Sequence, residues 1–263
     1  MEKTEFSNLE QWFEAYLMQM YGTDDYINAN LKLKEEHSRR TAREMRELAE
    51  ELNWPAEDKI LAEAIGLLHD IGRFEQFRTY QTYNDARSVN HGRLGIKVLR
   101  DGFVLQGLDQ IEMSIIESSI EYHGVKELPP ALCGKRLQFA RLIRDADKID
   151  IYVVVIDNFK KFASDSDKYS LEIEFPVSGG CSAEVVNAVM QGQPVDYKLL
   201  RSMDDFRLLQ MGWVFDINYK PALRRIFERG YLQSIAEMLP QDADVQAVIR
   251  RIYSYVQQRL SEQ

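Results

Sequence analysis

His69 and Asp70 stand side by side at the end of an apolar run, Ile60 to Leu68. Burying an imidazole beside a carboxylate in such a setting is costly unless something compensates both groups. A divalent metal would, because neutral imidazole and carboxylate are both ordinary ligands. Adjacent helical residues point about 100° apart. Near a helix end both could still reach one ion, or the carboxylate could bridge two. Gly72 reads as the C-cap that closes this helix. A core histidine hydrogen-bonded to an aspartate would look the same in isolation, so the remaining histidines decide.

The chain has four histidines, His37, His69, His91 and His123. Each falls in an apolar helical stripe or at an element end. His37 follows Leu33 and precedes Thr41, Met45, Leu48 and Leu52 at helical spacing. His91 opens a face with Leu94, Gly95 and Val98, and His123 continues Met113, Ile116 and Ile120. A chain that places its whole histidine complement inside uses it together. Two acids compete to join the set, and on a helix Asp145 and Asp147 lie about 200° apart. Asp147 shares a face with Ala140, Ile143, Ile151 and Val154, whereas Asp145 lines up with Arg141 and Lys148. The reading is therefore a buried Asp147 and a surface Asp145.

The elements that must position these residues are helical. Periodicity predicts helices over 8–21, 25–52, the run ending at Asp70, a stretch starting at His91, 109–123, 135–160, 183–191, 196–211, 221–229 and 243–260. Asn90 and Ser182 are the expected N-caps of two of them, and Pro55 and Pro221 can open two others. Residues 73–90 carry Phe74, Phe77, Tyr80 and Tyr83 among polar residues without a clean period, and read as an aromatic loop that either roofs a pocket or packs its own aromatics onto the core. Ala163 to Lys168 reads as a solvated loop, since the glycine and distal glutamate of a calcium loop are missing. Strand signal is sparse, so the expectation is an all-α protein. It would have an N-terminal helix (1–29), a central ligand-bearing domain (30–160) and a C-terminal helical extension (161–263).

The chain has 263 residues, 45% of them hydrophobic, and a net charge of −9. That charge disfavours duplex nucleic acid as a partner and leaves small nucleotides open. Cys133 and Cys181 suggest neither a metal pair nor a disulfide framework. The N-terminus lacks signal-peptide character, and the apolar run 151–156 is too short to span a bilayer. A cytoplasmic protein with no membrane partner is expected. The acidic turn and the apolar C-terminal helix could support a homodimer.

The order His37, His69-Asp70, Asp147 resembles the HD-domain superfamily of metal-dependent phosphohydrolases. His69-Asp70-Ile71-Gly72 matches its HD-Ile-Gly variant, and Ala146-Asp147-Lys148 its terminal aspartate motif. The resemblance covers about residues 30–160. It implies an HD-domain-like helical bundle in which His37, His69, Asp70 and Asp147 hold one divalent metal. His91 and His123 match the extra histidines of two-metal members, with Asp70 bridging. The metal would be Mn, Fe, Mg, Ni or Co, as one or two ions. The cyclic-dinucleotide branch carries a His-His pair and a Gly-Tyr-Pro signature, and both are missing here.

The implied reaction is hydrolysis of a nucleotide or another small phosphoester by a metal-activated water. Asp70 and Arg73 would be catalytic, with Arg73 and Lys148 binding the substrate. Two other readings fit the same residues. One is a di-iron oxygenase, since some HD-fold proteins carry this ordered ligand set. The other is a non-catalytic module that binds a metal or a nucleotide.

Overall fold

The computed structural model describes residues 1–164 and 179–262, for 158–164 the helical backbone alone. The expected loop after Ser164 therefore lies largely outside the described residues. Among the described residues there is no strand, and the chain is all-α. It divides into two compact units, Met1–Asp147 and Lys148–Gln263.

The first unit contains α1 (Lys3–Met20), α2 (Asp25–Glu51), α3 (Ala56–Leu68), α4 (Ile71–Tyr80), α5 (His91–Asp101), α6 (Gln110–Tyr122) and the start of α7 (Gly134–Ser164). Side chains fix several of the starts. Asp24 accepts from Ile27 N, Asn90 from Arg93 N, and Asp109 from Ile111 N and Glu112 N. Each such cap is worth about 1 kcal/mol. The core includes Phe13, Leu31, Met45, Leu48, Ile65, Leu68, Phe74, Ile116 and Phe139, all at most 1% exposed.

Four sequence expectations change here. Gly72 is not a C-cap: α3 stops at Leu68, and Gly72 lies in the first turn of α4. Residues 71–80 are helical rather than loop, because Ile71, Phe74 and Phe77 form a buried stripe at helical spacing. Leu33 is exposed (57%), and the inward face of α2 passes through Asn30, Leu31 and the half-buried Lys34. Asp145 is fully buried, because α7 is buried around most of its circumference, from Phe139 through Ala146.

Two glycines set how closely the helices approach. A Cβ on Gly66 of α3 would lie 2.6 Å from Ala42 Cα of α2. One on Gly72 of α4 would lie 2.2 Å from the His91 carbonyl oxygen and 2.6 Å from Gly95 N of α5. Both obstacles are backbone, so the helices themselves must move. Gly72→Ala is expected to lower stability by about 1–3 kcal/mol through overpacking. Urea denaturation measures this, and an unchanged midpoint would show that α5 can retreat freely.

The second unit contains the rest of α7, then α8 (Ala183–Met190), α9 (Met203–Gly212), α10 (Lys220–Glu228), α11 (Tyr231–Ala236) and α12 (Ala243–Ser261). The single helix expected over 196–211 is instead a 3-10 turn at Tyr197–Leu199 followed by α9, which Ser202 caps by accepting from Asp205 N. Ser182 precedes α8 without capping it, and its hydroxyl donates to Asp205 Oδ1 at 2.8 Å. Tyr152 of α7 donates to the Gln210 carbonyl at 2.7 Å. No helix of the described residues is long and apolar enough to cross a membrane.

Candidate metal centre

Six helices, α2 to α7, deliver the six ligand candidates to one buried point. His37 comes from the middle of α2, His91 is the first residue of α5, and Asp147 lies on α7. His69 and His123 are the residues that end α3 and α6. Asp70 caps the start of α4, and its backbone (φ −101°, ψ 16°) breaks the path between α3 and α4. That break lets neighbouring residues converge, which a continuous helix would forbid.

The ligands fall into two groups around the two oxygens of Asp70. Asp70 Oδ2 lies 3.6 Å from His37 Nε2 and 3.8 Å from His69 Nε2. Asp147 Oδ1 completes this group at 3.1 and 3.7 Å from the same two nitrogens. Asp70 Oδ1 lies 3.7 Å from His91 Nε2 and 3.5 Å from His123 Nε2. Metal–ligand bonds of about 2.0–2.2 Å put two ligands of one ion roughly 3–4 Å apart, and these separations match. The sites His37/His69/Asp70 and Asp70/His91/His123 each bring three ligand atoms within 4.8 Å of one another.

The ring nitrogens supply a second test of fit. His69 Nδ1 meets the Gly66 carbonyl at 2.8 Å, and His123 Nδ1 meets the Ile120 carbonyl at 2.7 Å. A carbonyl can only accept, so in both rings Nδ1 carries the proton. His91 Nδ1 donates to Asp85 at 2.7 Å. Neutral rings fixed this way present a bare Nε2. Yet the Nε2 atoms of His91 and His123 are 2.9 Å apart, two lone pairs face to face. Only a proton or a cation between them relieves that. Burial pushes the His91 imidazole down to about 4, which disfavours the proton. The donor set fits a metal ion.

The electrostatics favour ionised ligands. Burial alone would raise the Asp70 carboxyl, but Lys34, the histidines and Arg73 outweigh it and hold it well below the usual carboxylate range. For Asp147 burial is likewise outweighed, by the neighbouring His37 and His69 imidazoles, and its carboxyl is held well below the usual range. The His69 imidazole is lowered by burial despite the two carboxylates. Asp147 keeps 17% side-chain exposure, so the first group is reachable from solvent.

Of the cations read from sequence, Arg73 lies at the centre. Its Nε is 3.5 Å from Asp70 Oδ1, is buried and makes no hydrogen bond, while Nη1 donates to Gln76, the Tyr83 carbonyl and Asp85. Lys148 forms an ion pair with Asp216 at 2.7 Å within the second unit. Sequence reasoning missed three residues. Lys34 donates to Asp70 Oδ2 at 2.8 Å and lies 5.2 Å from the centre of the Tyr83 ring. Asp85 holds His91. Buried Arg144 donates to the carbonyls of His123 and Val125, fixing the end of α6. Lys34 sits one turn before His37, and that spacing was the signal available.

Residues 35–152 match the family model of the HD domain. No curated protein and no solved structure matches the chain. The matched segment contains all six ligand candidates. HD-domain proteins bind divalent metals, in accord with the two ligand groups.

Proposed function

We propose, on the premise that residues 35–152 are an HD domain, that this chain is a two-ion phosphohydrolase acting on a nucleotide or another small phosphoester. The family's members are mostly metal-dependent phosphohydrolases. The observation that carries the reading is Asp70, one carboxylate with a pair of histidine Nε2 atoms facing each of its oxygens. His37, His69, Asp147 and Asp70 Oδ2 would hold one ion, and His91, His123 and Asp70 Oδ1 the other. Such ions supply Lewis acidity at a phosphoryl oxygen and a water acidified toward neutrality.

The chain's own residues do the rest. Asp70, held in its ionised form, would contribute one oxygen to each ion and so fix the relation of the two halves. Lys34 and Arg73 each approach Asp70 from a different helix, so both can bind phosphoryl oxygens beside it and offset charge as the leaving group departs. Tyr83 donates to the Asn30 carbonyl at 2.8 Å and so keeps its ring against Lys34. Lys148, engaged by Asp216, has no part in this scheme.

The test is metal content and turnover on protein stripped and reloaded with Mn, Mg, Co, Ni or, without oxygen, Fe. About two ions per chain and phosphate release from at least one member of a phosphoester panel are expected. Iron loading with oxygen consumption and no phosphate release would overturn the reading in favour of an oxygenase. Metal or nucleotide binding without any turnover would overturn it in favour of a binding module.

A further inference from the structure

His69 and His123 each donate Nδ1–H to the carbonyl three residues earlier in their own helix. That support comes with the helix. His91 is the first residue of α5, so no helical turn precedes it to supply such a carbonyl. Its Nδ1 goes instead to a side chain, Asp85, at 2.7 Å to Oδ2 and 2.9 Å to Oδ1. The His91 backbone N–H also donates to Asp85 Oδ2, at 3.3 Å.

Asp85 is itself held from α4. Arg73 Nη1 donates to its Oδ1 at 2.9 Å and Gln76 Nε2 at 3.0 Å. Gln76 is fully buried and also donates to Ser88 Oγ and the Val89 carbonyl. Asp85 thus transmits the position of α4 to a ligand on α5, from a segment where its own side chain is 31% exposed. The two ligand groups differ in the same sense. The first has four protein ligands, whereas the second has three, one of which depends on Asp85.

We propose that Asp85 is the positioning residue of the second ion: it fixes the ring and tautomer of His91, and through them decides whether the His91/His123/Asp70 site is filled. The proposal rests on the two-ion reading above. An outer carboxylate on a ligating imidazole also makes the imidazole more basic, and losing it typically weakens metal binding about 10–100-fold.

Manganese titration with electron paramagnetic resonance tests this on the full chain, with circular dichroism to confirm folding. Wild type is expected to take up about two Mn and show a spin-coupled pair. Asp85→Ala should keep the first ion at wild-type affinity, bind the second about 10–100-fold more weakly and show an uncoupled spectrum. Asp85→Asn, whose amide oxygen can still accept the Nδ1 proton, should lose less. Ser88→Ala, which removes a hydroxyl of the same segment that bonds Gln76 and the Asn84 carbonyl but not the Asp85 carboxylate, should bind both ions. Asp85→Ala holding both ions at wild-type affinity would overturn the proposal alone. So would equal loss of both ions, or Ser88→Ala behaving like Asp85→Ala. Wild type binding a single ion would overturn the two-ion reading and this proposal with it.

Discussion

Asp70→Asn is expected to bind less than one ion per chain and to lose at least about a thousandfold in phosphoester hydrolysis. The substitution keeps the shape of the side chain and removes its charge. Both ligand groups take one oxygen each from this carboxylate, and an amide offers one oxygen and an NH2 in place of two anionic oxygens. Metal ions contribute several kcal/mol of charge stabilisation to such reactions, and about 1.4 kcal/mol is tenfold in rate, which gives the thousandfold figure. Single-turnover phosphate release with metal content measured on the same sample is the check. Asp70→Asn retaining two ions and more than a tenth of the activity would remove the bridging role.

Chelation should lower the melting temperature of the wild-type protein by about 10 °C or more, reversibly on adding metal back. Each ion present at about 100 times its dissociation constant stabilises the folded state by about 2.7 kcal/mol. For a unit the size of Met1–Asp147, 1 kcal/mol shifts the midpoint by about 2–4 °C. Two ions therefore give a shift of about 10–20 °C. Calorimetry at fixed free metal measures it, with His123→Ala losing only part of the shift because it removes one ligand from the second group. An identical midpoint with chelator and with metal would mean that the folded chain holds no ion.

Most of the helices, and the convergence of the six ligand candidates, were legible in the sequence because the signal was contrast. A histidine in an apolar stripe stands out, and α2, α5 and α6 each put one there. Asp145 was misread because the angle between two helical residues says which way they point, not whether either direction meets solvent. On α7 both do not. Ile71, Phe74 and Phe77 held a helical period that the interleaved polar residues obscured. Lys34 carried little contrast on a charged helix, and Asp85 even less, since a turn aspartate is expected to cap its own backbone. What made both important was contact across 36 and 6 residues of chain with Asp70 and His91. Spacing within one element cannot reveal such partners.

Lys34 and Arg73 both lean on Asp70, and this bears on the life of the protein between loadings. Two carboxylates at the ligand point, Asp70 and Asp147, are matched by two fixed cations. Asp85, which pairs with the same Arg73, adds a third carboxylate, so the centre is mildly anionic before any ion arrives. Once dications enter, the same lysine and arginine become surplus positive charge in a place of low dielectric. The loaded centre then calls for an anion, although the chain as a whole is acidic. On the phosphohydrolase reading, a phosphate group meets that demand on arrival, and the phosphate product meets it equally well. On the two-ion phosphohydrolase reading, inorganic phosphate is expected to bind the loaded protein more tightly than the metal-free protein and to inhibit turnover as product.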